Sequence, residues 1–171
     1  MSDPKVEIRL GAILSAVESA TVEAMNATLL ILGKTVRTTL SQPGTGRIYR
    51  ISRGRKAGRN LRAQGLHRAS APLRPPAVNT NRLRASWTVS TVPPVGGRVS
   101  SKDGFVASRK DGSRIVLSYG SRVPYARMLE TGTRRMKKRP YLSVAVPLVR
   151  SAAPRIFEKV FQRRFGPGAI L

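Results

Sequence analysis

Residues 5–40 contain no proline and only two glycines, Gly11 and Gly33. Leu10, Leu14, Val17, Thr21, Met25, Leu29, Leu32 and Val36 recur there in steps of three and four. That spacing lays one apolar-to-small stripe along an α-helix and does not fit the two-residue period of a strand. Asp3 suits the N-cap, and Pro4 suits a first turn where its missing amide hydrogen is not needed. At about 1.5 Å per residue such a helix is roughly 50 Å long. Most helical stability comes from covering an apolar face, so the rest of the chain, or another chain, must pack on this stripe.

The next segment has the opposite character. Residues 41–80 read SQPGTGRIYRISRGRKAGRNLRAQGLHRASAPLRPPAVNT, with nine cations, no acid and neither periodicity. A long basic loop of this kind is expected to act as an extended arm rather than as part of a core. From residue 81 the period becomes two: in LRASWTVSTV, Leu83, Ala85, Trp87 and Val89 fall on one side, which predicts a half-buried strand. Lys102-Asp103-Gly104 and Lys110-Asp111-Gly112 are hairpin turns, so an antiparallel meander of three or four strands is expected over 83–120. YARMLE, residues 125–130, predicts a short helix docked through Tyr125 and Leu129 and ended by Gly132. A last helix is expected from Pro140 to Gly166-Pro167-Gly168, broken by Pro147 and Pro154, with Ile156, Val160 and Phe161 covering what lies beneath. The fold class expected is α+β: a long N-terminal helix and a broken C-terminal helix on a small antiparallel sheet, with a long basic loop. One domain is expected over 1–171, divided into the helix 1–40, the arm 41–80 and the remainder 81–171.

Charge narrows the partners. The chain has 32 Lys and Arg against 8 Asp and Glu, a net charge of +24. Residues 1–40 balance four cations with four acids, so the surplus lies beyond the first helix. Such a surplus repels itself and calls for a polyanion nearby. There is no cysteine, which removes disulfides and thiolate metal sites. No apolar run is long enough to span a bilayer, so no membrane is expected as a partner. The start MSDPKVEIRL lacks the apolar core of a signal peptide, which predicts a protein made and kept in, or assembled from, a reducing cytoplasm.

Catalysis finds little to work with. Glu18 and Glu23 are five apart and fall on different helix faces, and His67 is the single histidine. GTGRIY lacks the Lys-Ser/Thr of a phosphate-binding loop. No enzyme activity, no metal and no cofactor are expected.

YARMLETGTRRMKKRPYL, residues 125–142, places Glu130 before five cations: Arg134, Arg135, Lys137, Lys138 and Arg139. Together with Pro75-Pro76, Thr80, Leu83-Arg84 and Ser86, the Tyr125-Ala126, Glu130, Gly132-Thr133 and Arg139-Pro140-Tyr141-Leu142 pieces resemble the head–tail connector, or tail-completion, proteins of long-tailed bacteriophages. These are often labelled minor tail or morphogenesis proteins. The resemblance covers about residues 67–150, and the preceding helix in kind. Asn81 stands where that family usually has glycine; asparagine tolerates a left-handed backbone, so the turn is expected to survive.

The resemblance implies a non-enzymatic ring in the virion neck, of six subunits with twelve as the alternative, assembled in the host cytoplasm. Its neighbours would be a head-completion or stopper ring and a tail terminator, with genomic DNA in the lumen. On this reading Arg47, Arg50, Arg53, Arg55, Lys56, Arg59 and Arg62 are candidate contacts to DNA or a partner. Ile48, Tyr49, Ile51, Glu130, Arg134 and Arg135 are candidate protein-interface residues, with Glu130 facing an Arg or Lys of its own or the next subunit. The alternative is a chromosomal or ribosomal type of basic protein that binds DNA or RNA without reading sequence.

Overall fold

The computed structural model of the chain describes residues 10–50, 66–77, 81–88, 93, 95–112 and 114–166. Helix α1 runs over Leu10–Leu40, about 46 Å at its 31 residues. Two short strands follow, β1 (Ile48–Arg50) and β2 (Leu66–Arg68), and then the single turn α2 (Arg82–Ala85). Strands β3 (Arg98–Ser100), β4 (Gly104–Asp111) and β5 (Arg114–Ser121) lead into α3 (Ala126–Thr131) and α4 (Leu142–Phe165). The architecture is α+β: two long helices and a three-stranded antiparallel sheet in the order β3-β4-β5. Asp3 and Pro4, read above as the start of the helix, lie outside the described residues.

The two long helices run antiparallel. Val36 and Leu40 of α1 share a buried cluster with Tyr141 and Ala145 at the start of α4. Ala20 and Ala24 share another with Val160, Phe157 and Phe161 near its end. The stripe expected on α1 therefore holds at Leu32 and Val36 but not in the first half, where Leu14 is 68% exposed and Val17 also faces solvent. Small residues take over there because the alanines let the α4 backbone and its phenylalanines approach closely. Pro147 and Pro154 lie inside α4 without splitting it. Buried Ala145 and Val149 flank the first proline and buried Val160 follows the second, so packing supports the helix where amide bonds are missing.

Both Asp-Gly signals sit at real turns. Ser101 donates to the Gly104 carbonyl across the first, and Asp111 pairs with Arg114 across the second. Gly104, Val106 and Ser108 face inward, while Arg109, Lys110 and Asp111 at the tip are exposed. The β4–β5 hairpin follows α1: Lys110 Nζ lies 2.7 Å from Glu18 Oε1, and Tyr119 rests on Gly33. A Cβ at Gly33 would stand 2.7 Å from that ring, so glycine at this position is what lets the sheet lie close against the helix.

Of the strand expected at 83–89, residues 83–88 form α2 and the turn after it instead, and Val89 lies outside the described residues. Leu83, Ser86 and Trp87 are buried and Ala85 is exposed, which is a helical period. Trp87 packs against Tyr119 at 4.9 Å and edge-on against Tyr141 at 6.3 Å. The Tyr119 hydroxyl donates to the Trp87 carbonyl at 2.6 Å. Ser86 Oγ bonds the Leu83 carbonyl and Ser121 Oγ, both at 2.7 Å. This hub joins α1, α2, β5, α3 and α4.

Candidate functional site

The short helix α3 docks on the hub through buried Ala126 and through Leu129, three positions apart; Tyr125 is partly exposed instead. Its end is set by Gly132, with φ 81°. That value lies where glycine is cheapest, and a Cβ would also stand 2.9 Å from the Lys138 amide nitrogen and the Met136 carbonyl oxygen.

Glu130 faces the start of α4 rather than a cation. Its carboxylate accepts the amides of Tyr141 (2.9 Å), Leu142 (3.0 Å) and Ser143 (2.8 Å), and the Ser143 hydroxyl as well. These are the amides that the first turn of a helix leaves without partners, and their dipoles favour a negative charge. Burial opposes the charge of Glu130, but the Ser143 hydroxyl and the three amides outweigh it and hold the carboxyl below its ordinary value. Burial, and then that same charge, push the Tyr141 phenol up to about 12. The expectation of an Arg or Lys partner from the same chain is thus replaced by an anionic cap reaching across the cationic run.

The run itself forms a tight turn. Thr133 and Met136 exchange backbone hydrogen bonds of 2.8 and 3.2 Å, which leaves Arg134 and Arg135 exposed at the tip. Lys137 and Lys138 are exposed beside it, and the Arg139 amide donates to the Leu129 carbonyl at 2.7 Å. The Leu73 amide donates to the Lys138 carbonyl at 3.0 Å. That bond joins the turn to the segment leaving the arm, where Arg68 and Arg74 are exposed and Leu73 sits at φ 65°.

The arm begins as a two-stranded ribbon rather than an irregular loop. Ile48 pairs with Arg68, Tyr49 with His67 and Arg50 with Leu66. Gly46 donates to the Ala69 carbonyl at 2.7 Å, and Ala69 to the Arg47 carbonyl at 3.0 Å. A Cβ at Gly44 would stand 1.9 Å from the Arg68 carbonyl oxygen, so glycine is what lets the ribbon close at its base. The Ile48–Arg50 segment, which holds the candidate interface residues Ile48 and Tyr49, therefore pairs within its own chain on one edge. Ile48 remains 47% exposed. Ile51, Arg53, Arg55, Lys56, Arg59 and Arg62 lie outside the described residues.

The structure thus brings together the arm's base and the turn 133–139 in one cationic corner, and places Glu130 behind it as a structural cap. Among the described residues no group of His, Cys, Asp or Glu is arranged to hold a metal ion. No helix of the described residues is long and apolar enough to cross a membrane. Comparison with known protein families, with characterised proteins and with solved structures gives no match.

Proposed function

We propose that this chain is a structural virion protein that forms a homo-oligomeric ring in a phage neck, joining the DNA-filled head to the tail. The observation that carries the reading is the convergence of its separated sequence pieces. Leu83, Ala126 and Tyr141 share one buried cluster. Ser86 lies beside it, Glu130 caps the helix that Tyr141 and Leu142 open, and Gly132 turns the chain between them. The matches at 83–86, 125–133 and 139–142 are therefore parts of one junction, which makes their joint presence more specific than three short matches. Thr80 lies outside the described residues.

Two further features support a ring. Ile13 and Leu14 on α1 are 51% and 68% exposed, and Val144 and Leu148 on α4 are 42% and 59% exposed. Large apolar side chains left open on both long helices suit contact with further subunits, whereas a monomeric nucleic-acid module has no use for them. The cationic corner suits DNA held without sequence readout. A hexamer, stacked between a stopper ring and a tail terminator, is the assembly we favour. The test is a virion map: a cyclic ring of this chain in the neck supports the proposal, and a neck without one overturns it.

A further inference from the structure

We infer that the groove between the last turns of α1 and the α2 turn is a second nucleic-acid contact, a seat for a backbone phosphodiester. The groove has a volume of about 390 Å³, and Lys34, Arg37 and Arg84 line it without a single acid. Lys34 and Arg37 are three apart and so share a face of α1. Arg84 comes from across the groove and is already aimed. Its Nε donates to Asn81 Oδ1 at 2.7 Å and its Nη1 to Ser41 Oγ at 3.1 Å. The outer guanidinium hydrogens are left for a ligand, in the planar fork that suits phosphate. Asn81, with its carbonyl turned to Arg84, also lines the groove and keeps its Nδ2 hydrogens available.

The C-terminal end of a helix ordinarily repels an anion. Here the Arg37, Thr38 and Thr39 carbonyls of its last turn are covered. Ser41 Oγ donates to the Arg37 carbonyl at 2.7 Å, the Ser41 amide to Thr38 at 3.0 Å, and Thr38 Oγ1 to Lys34 at 3.1 Å. The groove therefore presents cations over a floor of satisfied acceptors. Among the described residues Ala85 is the one apolar residue that lines it, so they offer a peptide little anchor. Lys34 and Arg37 are exposed, which suits one weak contact among many along a polymer better than capture of a free phosphate. Sequence reading passes over this site because residues 1–40 are neutral in sum, although Glu18 and Glu23 lie in the first half of α1 and Lys34 and Arg37 near its end.

The inference rests on the neck reading only for naming DNA as the polyanion, and it is tested on the free full-length chain. Binding of a labelled random-sequence duplex is followed by anisotropy across salt concentrations. The triple variant K34Q/R37Q/R84Q is expected to lower the salt slope by about two to three and the affinity at low salt about tenfold or more. A control of equal charge change on α4, R150Q/R155Q/K159Q, is expected to lower the slope by less than about one. Because Arg84 also ties α2 to α1, the double variant K34Q/R37Q must show its share of the loss with an unchanged melting temperature. Equal loss in both triples, or none in the groove variants, overturns the site. Polyglutamate that competes as well as DNA and is equally sensitive to the groove substitutions assigns it to an acidic protein and overturns it too. So does displacement of DNA by inorganic phosphate beyond that by chloride at matched ionic strength. A failed ring in the virion, with these variants behaving as stated, would sink the neck reading and leave the groove standing.

Discussion

The hub and the cationic corner are built from adjacent stretches of chain, yet they use charge in opposite ways. All six described acids are engaged inside the fold. Glu18 pairs with Lys110, Glu23 with Arg163, Asp103 with Arg82 and Asp111 with Arg109. Glu158 accepts from Gln162, and Glu130 caps α4. None of the six pairs with Arg134, Arg135, Lys137 or Lys138, and residues 41–80 contain no acid. Asp103 shows the contrast most clearly. A two-pronged bond to Arg82, at 2.6 and 2.8 Å, holds its carboxyl below the ordinary value against partial desolvation. The described negative charges serve the fold, and Arg134, Arg135, Lys137 and Lys138 face outward with none of them as an ion-pair partner. A surplus that only kept the protein soluble would not need to be segregated from the acids in this way.

If the hub carries stability and the corner does not, substitutions should separate the two. The largest effect is expected from Trp87→Ala, which empties the centre of the Trp87–Tyr119–Tyr141 cluster and should cost about 3–5 kcal/mol. Denaturant unfolding measures it, and a loss below about 1 kcal/mol would show that the hub is not the stability centre.

Glu130→Gln comes next. It keeps an acceptor but removes the charge from three amides and a hydroxyl, and should cost about 1–2 kcal/mol at neutral pH. The sign of its pH dependence follows from the lowered carboxyl pKa in the folded state. The contribution is complete above the ordinary carboxylate range and is lost as pH falls through the lowered value. Unfolding midpoints of wild type and variant should therefore converge on acidification. A gap that stays constant into acid would mean that the charge is not what caps α4.

Much of this division can be read from the residues, and the failures have definite causes. The Asp-Gly turns, α3 with Gly132, and α4 ending at Gly166 follow from local chemistry. The false strand arises because Leu83 and Trp87 are four apart, which satisfies both a helix and a period of two; exposed Ala85 is the residue that decides. Ala20 and Ala24 are too small to register as a hydrophobic face, so the stripe is drawn through Leu14 and Val17 instead. The cap from Glu130 to residues 141–143 spans more than ten residues, beyond the three-residue spacing by which capping boxes are recognised. The cationic run is visible at once, but its junction with the arm depends on the Leu73–Lys138 bond, which no local pattern announces.

The corner should answer in the opposite sense. Replacing Arg134, Arg135, Lys137 and Lys138 by Ser changes only exposed side chains. Stability should move by less than about 0.5 kcal/mol per site, and relief of repulsion can make the change favourable. DNA binding should weaken, with a salt slope smaller by up to about four. If the quadruple variant unfolds instead, the turn belongs to the fold and the comparison fails.

The smallest expected effect lies at the border between the two regions. Asn81 has φ 60° and ψ −4°, so the left-handed turn expected of it is present. It therefore carries backbone strain that glycine would not have, and in exchange its Oδ1 holds Arg84 Nε at 2.7 Å. Asn81→Gly removes the strain and the bond together, so stability should change by about 0.5 kcal/mol or less in either direction. Asn81→Ala removes the bond and keeps the strain, and should be about 1 kcal/mol less stable than the glycine variant. DNA binding separates the roles further. Both variants release Arg84, so both should weaken binding by a similar factor even though their stabilities differ. Equal stability of the two would show that the turn does not demand a left-handed residue. Unchanged DNA binding in both would show that the position of Arg84 does not depend on Asn81.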